Sequence, residues 1–153
     1  MPSRPVAEAS IQPSLLVVDD DPAVVALAEL YAKETGFGST VGAETAREGL
    51  LALRNGTFKL VLLDLGLPDR TDSDALPEYL ESAGPTPVAV VTSDVRVETA
   101  VSCMQHGAFD FITKPVSPAR LMSIFAHAAE SARLRAFLDP AGTNELSPAF
   151  SRI

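Results

Sequence analysis

Short apolar runs alternate with segments of helical spacing along most of the chain, and this alternation narrows the possible folds more than any other feature. The runs are SLLVV (14–18), FKLVLLD (58–64), TPVAVVT (86–92) and AFDFIT (108–113), with a weaker STV at 39–41. They are continuous or nearly so, the pattern of strands covered on both faces. Between them, apolar residues recur at steps of three and four. The sets are Val24, Leu27, Ala28 and Tyr31 in 23–35; Ala46, Leu50 and Leu53 in 44–54; Val97, Val101 and Met104 in 95–107; and Leu121, Ile124, Phe125, Ala128 and Ala132 in 118–134. One more segment, DSDALPEYLESA, carries Pro77. A helix tolerates proline only in its first turn, so this one is expected to start near Leu76. Turn signals sit at Gly36 and Gly38, Asn55-Gly56, AGPTP (83–87) and Gly107. The predicted order is βαβαβαβαβα: an α/β protein with a doubly wound parallel five-stranded sheet and helices on both faces.

Composition limits the rest. A chain of 153 residues, 46% hydrophobic, suits one domain plus some tail. Residues 1–13, rich in Pro and Ser, read as a disordered leader with no apolar core of a secretory signal. The domain is expected over 14–137. The stretch 138–153 reads as a linker or tail, because DPAGTNELSP (139–148) breaks the last helical pattern. A net charge of −8 would repel a polyphosphate, which argues against direct nucleic-acid binding. No run reaches the ~20 apolar residues of a membrane span, so no membrane partner is expected and the cytoplasm is the default. Cys103 is alone, excluding an internal disulfide or a cysteine metal cluster; His106 and His127 lack ligand spacing.

In a parallel α/β sheet, ligands bind beyond the carboxyl ends of the strands. Strand one ends in Asp19-Asp20-Asp21, strand three in Asp64, strand four in Thr92-Ser93 and strand five in Lys114-Pro115. Asp19, Asp20 and Asp64 can therefore form an acidic cup. Clustered carboxylates are costly unless a cation sits among them. An all-oxygen set suits Mg²⁺. Lys114 adds a positive charge and Thr92 a hydroxyl, which completes a site for phosphoryl chemistry with one carboxylate as nucleophile. Asp64, alone at its strand end, is best presented to a donor, whereas Asp19 and Asp20 are better placed to hold metal. Asp21, followed by Pro22, has the pattern of a helix N-cap.

LLVVDDDP, LVLLDLGLPD, VVTS and FDFITKP resemble, in order and spacing, the four motifs of the receiver domain of bacterial response regulators. The likeness covers roughly residues 14–137 and implies a flavodoxin-like (βα)5 sheet of order 2-1-3-4-5, the order of the chemotaxis receiver. It also implies that Asp64 accepts a phosphoryl group from a histidine kinase or phosphotransfer protein. Asp20 would bind Mg²⁺ directly, Asp19 partly through water, and the Gly66 backbone carbonyl would be a further ligand. Thr92 and Lys114 would bind the phosphoryl group, and Phe111 would turn inward when Thr92 moves. The Lys114–Pro115 peptide is cis in many relatives. Output would pass through the fourth helix, fifth strand and fifth helix, a face that could also form a homodimer.

The departures are Asp72, where the family usually has Gly, within an acidic DRTDSD (69–74), and Gly66, which lacks a side chain to tune phosphate lifetime. TAVSCMQHGAFDFITKP and ELSPAFSRI look most like sigma-54-dependent regulators of the nitrogen-regulation type, so the chain reads as a piece of a transcription regulator. Three alternatives remain. An aspartyl-phosphate hydrolase usually needs a second Asp where Gly66 stands. A flavin module needs a Ser/Thr/Gly-rich loop where Asp19–Asp21 stand. A phosphate-independent pseudo-receiver would not need the full set of site residues.

Overall fold

The computed structural model describes residues 14–70 and 75–138. The expected leader, the tail from 139 onward, and Asp72 lie outside the described residues. Five strands alternate with five helices: β1 Ser14–Val18, α1 Pro22–Glu34, β2 Ser39–Ala43, α2 Ala46–Asn55, β3 Leu60–Asp64, α3 Ala75–Ala83, β4 Val88–Thr92, α4 Val97–His106, β5 Asp110–Thr113 and α5 Pro118–Leu138. The strands form one parallel sheet in the order β2-β1-β3-β4-β5, the flavodoxin-like arrangement. Chain order reverses beside β1, which opens a crevice at the carboxyl ends of β1 and β3.

The continuous apolar runs are explained by the two layers they serve. Leu15, Val17, Leu60, Leu62, Ala89, Val91 and Ile112 pack with Ala28, Leu121, Ile124 and Phe125 of α1 and α5. Their strand neighbours Leu16, Val18, Val61, Leu63, Val88 and Val90 face the other way, onto Leu50, Leu53, Leu76, Tyr79 and Cys103 of α2, α3 and α4. Successive strand residues point to opposite faces, so a strand buried on both must be apolar throughout. β2 is an edge strand with Val41 exposed, which is why its signal is weak.

Local chemistry sets the helix ends. Asp21 caps α1, its side chain accepting the Ala23 N–H at 3.0 Å with Pro22 in the first turn; such caps contribute about 1 kcal/mol. Thr45 caps α2 by accepting the Glu48 N–H, while Glu48 accepts the Glu44 N–H. Pro77 is the third residue of α3 as described, within the tolerated first turn. Gly107 ends α4 at φ 112°, a left-handed conformation glycine adopts without penalty.

α4 departs from expectation. Val97, Val101 and Met104, the apolar set that should face the core, are 71, 47 and 46% exposed, and Cys103 is the residue the helix buries. Periodicity locates a stripe on a helix but does not say which neighbour it meets. Small Cys103 lets α4 lie on the sheet while its larger apolar residues look outward.

Candidate functional site

The carboxyl edge of the sheet gathers the residues singled out from the sequence. Asp19 directly follows β1 and Asp64 is the last residue of β3; both are almost wholly buried. Asp20 beside them is exposed. One carboxylate oxygen from each of Asp19, Asp20 and Asp64 lies within 4.8 Å of the others. Thr92 ends β4 one strand further along and is buried, and register pairs Asp64 with Val91 and Thr92 with Thr113.

Lys114 closes the cluster from β5. Its Nζ lies 3.0 Å from Asp19 Oδ2 and 3.3 Å from Asp64 Oδ2. It donates to Asp19 Oδ1 at 3.3 Å, and its backbone N–H donates to the Thr92 carbonyl at 2.7 Å. The peptide joining it to Pro115 is cis. Burial works to lower the Lys114 pKa, but the Asp19 hydrogen bond and the charges of Asp64 and Asp19 outweigh it and hold the pKa raised. On Asp19, burial dominates and raises the pKa, against the Asp21 N–H and Lys114, which lower it.

The donor set fits a hard cation. Asp19 Oδ1 accepts the Asp21 N–H at 2.9 Å, and Asp64 Oδ1 accepts the Gly66 N–H at 3.0 Å. Asp19 Oδ2 is buried with an ammonium close by, yet no donor is aligned with it for a hydrogen bond. A buried carboxylate oxygen in that state has acceptor capacity left over beside the Lys114 charge. Oxygen ligands alone favour Mg²⁺ over softer metals.

Around this centre, Thr92 Oγ1 accepts the Asp94 N–H at 3.2 Å, and Asp94 in turn binds Arg96 and Thr99. Those contacts keep the Asp94 carboxyl far below the usual carboxylate range, the Arg96 side chain being the main cause. Phe111 is half-buried on the α2/α3/α4 side, its register partner being Val90. Residues 71–74 of the acidic stretch lie outside the described residues, but Asp69 is described. Its carboxylate reaches the first turn of α2, a role sequence reading missed; the only signal was an Asp shortly after the β3 end.

A doubly wound parallel sheet with three carboxylates and a lysine gathered at its carboxyl edge defines an α/β protein with a candidate cation site at that edge. A family profile described as the response regulator receiver domain matches residues 15–126, and the chain belongs to that family. It is 37% identical over 114 residues to the response regulator protein PilR of Pseudomonas aeruginosa, covering 74% of this chain and 25% of PilR. Against the regulatory protein LuxO of Vibrio vulnificus it is 33% identical over 128 residues, covering 83% of this chain and 28% of LuxO. The chain thus spans about a quarter of the length of these relatives. Among solved structures, the receiver domain of a putative LuxO repressor from Vibrio parahaemolyticus matches with a TM-score of 0.75 and 30% identity, covering 84% of this chain and 98% of that one. The beryllofluoride-activated NtrC4 receiver domain dimer matches with a TM-score of 0.70 and 29% identity, covering 77% and 97%. Receiver domains are signalling domains of two-component systems rather than turnover enzymes. They bind Mg²⁺ at an acidic cluster and take histidine kinases or phosphotransfer proteins as partners. No described helix is long and apolar enough to cross a membrane.

Proposed function

We propose that this chain is the phosphoacceptor switch of a response regulator, with Asp64 as the acceptor. The observation that carries the reading is Lys114 reaching Asp19 and Asp64 together, beside a buried Asp19 oxygen that has no aligned donor. A carboxylate oxygen of Asp64 attacks phosphorus; the bond from phosphorus to the donor's imidazole nitrogen breaks, and the imidazole leaves with the electron pair. Asp19, Asp20, Asp64 and the Gly66 carbonyl would hold Mg²⁺, which when bound offsets charge on the phosphoryl oxygens. Lys114 pairs with the transferred group, and the Thr92 hydroxyl turns toward it. Phe111 then moves inward, changing the surface of α4, β5 and α5. The outward Val97, Val101 and Met104 support that face as the output and homodimer surface. The output is transcriptional, through a sigma-54-dependent effector domain, in the cytoplasm. The test is intact mass after incubation with acetyl phosphate. A gain of one phosphoryl group that needs Mg²⁺ and is blocked by EDTA supports the reading; no gain despite Mg²⁺ binding overturns it.

Lys114→Met tests the electrostatics. Removing the ammonium leaves two buried carboxylates facing each other. The expected cost in metal-free buffer is about 2 kcal/mol, below that of a fully buried pair because Lys114 keeps 20% exposure. Thermal melts should show Mg²⁺ raising the melting temperature of the variant more than that of the wild type. An equal rise would count against a shared site.

Gly66→Leu tests lifetime control. A Cβ at Gly66 would meet Asp64 Oδ1 at 3.7 Å, an ordinary contact. The variant should keep its backbone carbonyl in place and fold normally. The side chain is expected to shield the acyl phosphate from water and lengthen its half-life, read from the decay of the phosphorylated mass.

A further inference from the structure

Asp69 follows Gly66 by three residues, on the loop that leaves the acceptor. Its Oδ1 accepts the Ala46 N–H at 2.8 Å and its Oδ2 accepts the Arg47 N–H at 3.1 Å, from 23 and 22 residues away in sequence. These are orphan donors in the first turn of α2. The helix's own N-cap, Thr45, is engaged elsewhere, on the Glu48 N–H at 3.0 Å. So α2 carries two N-terminal devices: a local one from Thr45, and a remote one that ties it to the β3–α3 loop.

The stretch between Gly66 and Asp69 has little slack. Leu67 is fully buried, and its carbonyl accepts the Arg70 N–H at 3.2 Å, closing a tight turn. Arg70 continues into an ion pair with Glu78 of α3. At the other end, the Gly66 N–H is held by Asp64 Oδ1. Displacing the Gly66 peptide would therefore drag the turn and uncouple Asp69 from both α2 donors.

We propose that Asp69 is a positioning residue: by clamping the β3–α3 loop to the first turn of α2, it presets the Gly66 carbonyl for the cation. The proposal rests on the site reading above, in which that carbonyl is a ligand. Partners that orient a metal ligand from outside the ligand set typically matter by about 10-fold or more in affinity.

The experiment is calorimetric titration of the chain with Mg²⁺, paired with thermal melts, for wild type, Asp69→Ala, Asp69→Asn, Thr45→Ala and Asp64→Ala. Asp69→Ala and Thr45→Ala each remove a cap from α2 and should lower the melting temperature. Asp69→Ala should raise the Mg²⁺ Kd about tenfold, whereas Thr45→Ala keeps the wild-type Kd. Asp69→Asn retains one acceptor oxygen and should fall between. A wild-type Kd in Asp69→Ala, or an equal rise in Thr45→Ala, overturns the clamp alone. A wild-type chain that binds no Mg²⁺, or an Asp64→Ala variant that binds it as tightly as wild type, overturns the site reading and the clamp with it.

Discussion

Asp64→Asn takes up no phosphoryl group from acetyl phosphate and Mg²⁺ under conditions in which the wild type gains one. A neutral carboxamide is a poor nucleophile, so the loss is expected to be complete within detection. The substitution suits this test because it preserves shape. Asn can still accept the Gly66 N–H through its amide oxygen, the bond Asp64 Oδ1 makes at 3.0 Å. Lys114 loses Asp64 Oδ2 as an acceptor at 3.3 Å, since the amide nitrogen there cannot accept, but keeps Asp19 as a partner at 3.0 Å. Removing one of three crowded carboxylates also relieves repulsion. The variant should thus melt in metal-free buffer no lower than the wild type, which separates lost chemistry from lost fold. Asp64→Ala should likewise fail to label, at some cost from the unpaired Gly66 N–H. Labelling of Asp64→Asn to the wild-type extent would move the acceptor to another residue and sink the reading of the site.

Gly49→Ala should destabilise the domain by about 3 kcal/mol, although alanine is the better helix former. In an exposed helix this change would gain roughly 1 kcal/mol. Here a Cβ would collide with the Tyr79 hydroxyl and lie 2.7 and 3.0 Å from the two methyls of Val18. None of these neighbours can yield easily. Tyr79 is fully buried, and its hydroxyl donates to the Ala46 carbonyl at 2.6 Å. Burial also raises the Tyr79 pKa far above its ordinary value, so the phenol stays protonated and donating. Val18 is the last residue of β1, next to Asp19. Relief would require breaking the Tyr79 bond or lifting α2 off the sheet, which exposes Leu50 and Leu53. The measure is a thermal melt, with an expected fall of about 10 °C. Adding Tyr79→Phe removes the nearest clashing atom, so the double variant should be more stable than the two single effects summed. A Gly49→Ala protein as stable as wild type would mean α2 does not approach β1 and α3 this closely.

Much of the architecture was legible in the sequence because burial on two faces leaves a plain mark. A strand between two helix layers must be apolar where both faces are covered, and LLVV (15–18), LVLL (60–63) and VAVV (88–91) are. Helix signals were clear where helices cover the core with large side chains, as with Leu121, Ile124 and Phe125 of α5. They misled for α4, where Cys103 meets the sheet and Val97, Val101 and Met104 do not. The residues of the acidic cluster were also legible, since a carboxylate directly after a buried strand has few other places to go, and Asp21-Pro22 announced its own helix.

What the sequence alone determined, then, was the order of elements, the residues at the carboxyl edge, and the need for a positive partner among Asp19, Asp20 and Asp64. Only the tertiary structure decided three other matters: that Asp69 is bonded to the first turn of α2, that Gly49 must lack a side chain under Tyr79, and that the apolar stripe of α4 faces outward. The physical reason is range. Periodicity, capping and charge clustering act between residues a few positions apart or at strand ends that topology brings together. The Asp69, Gly49 and α4 contacts depend on how far one element stands from another and at what rotation, and that distance is set by packing over the whole domain.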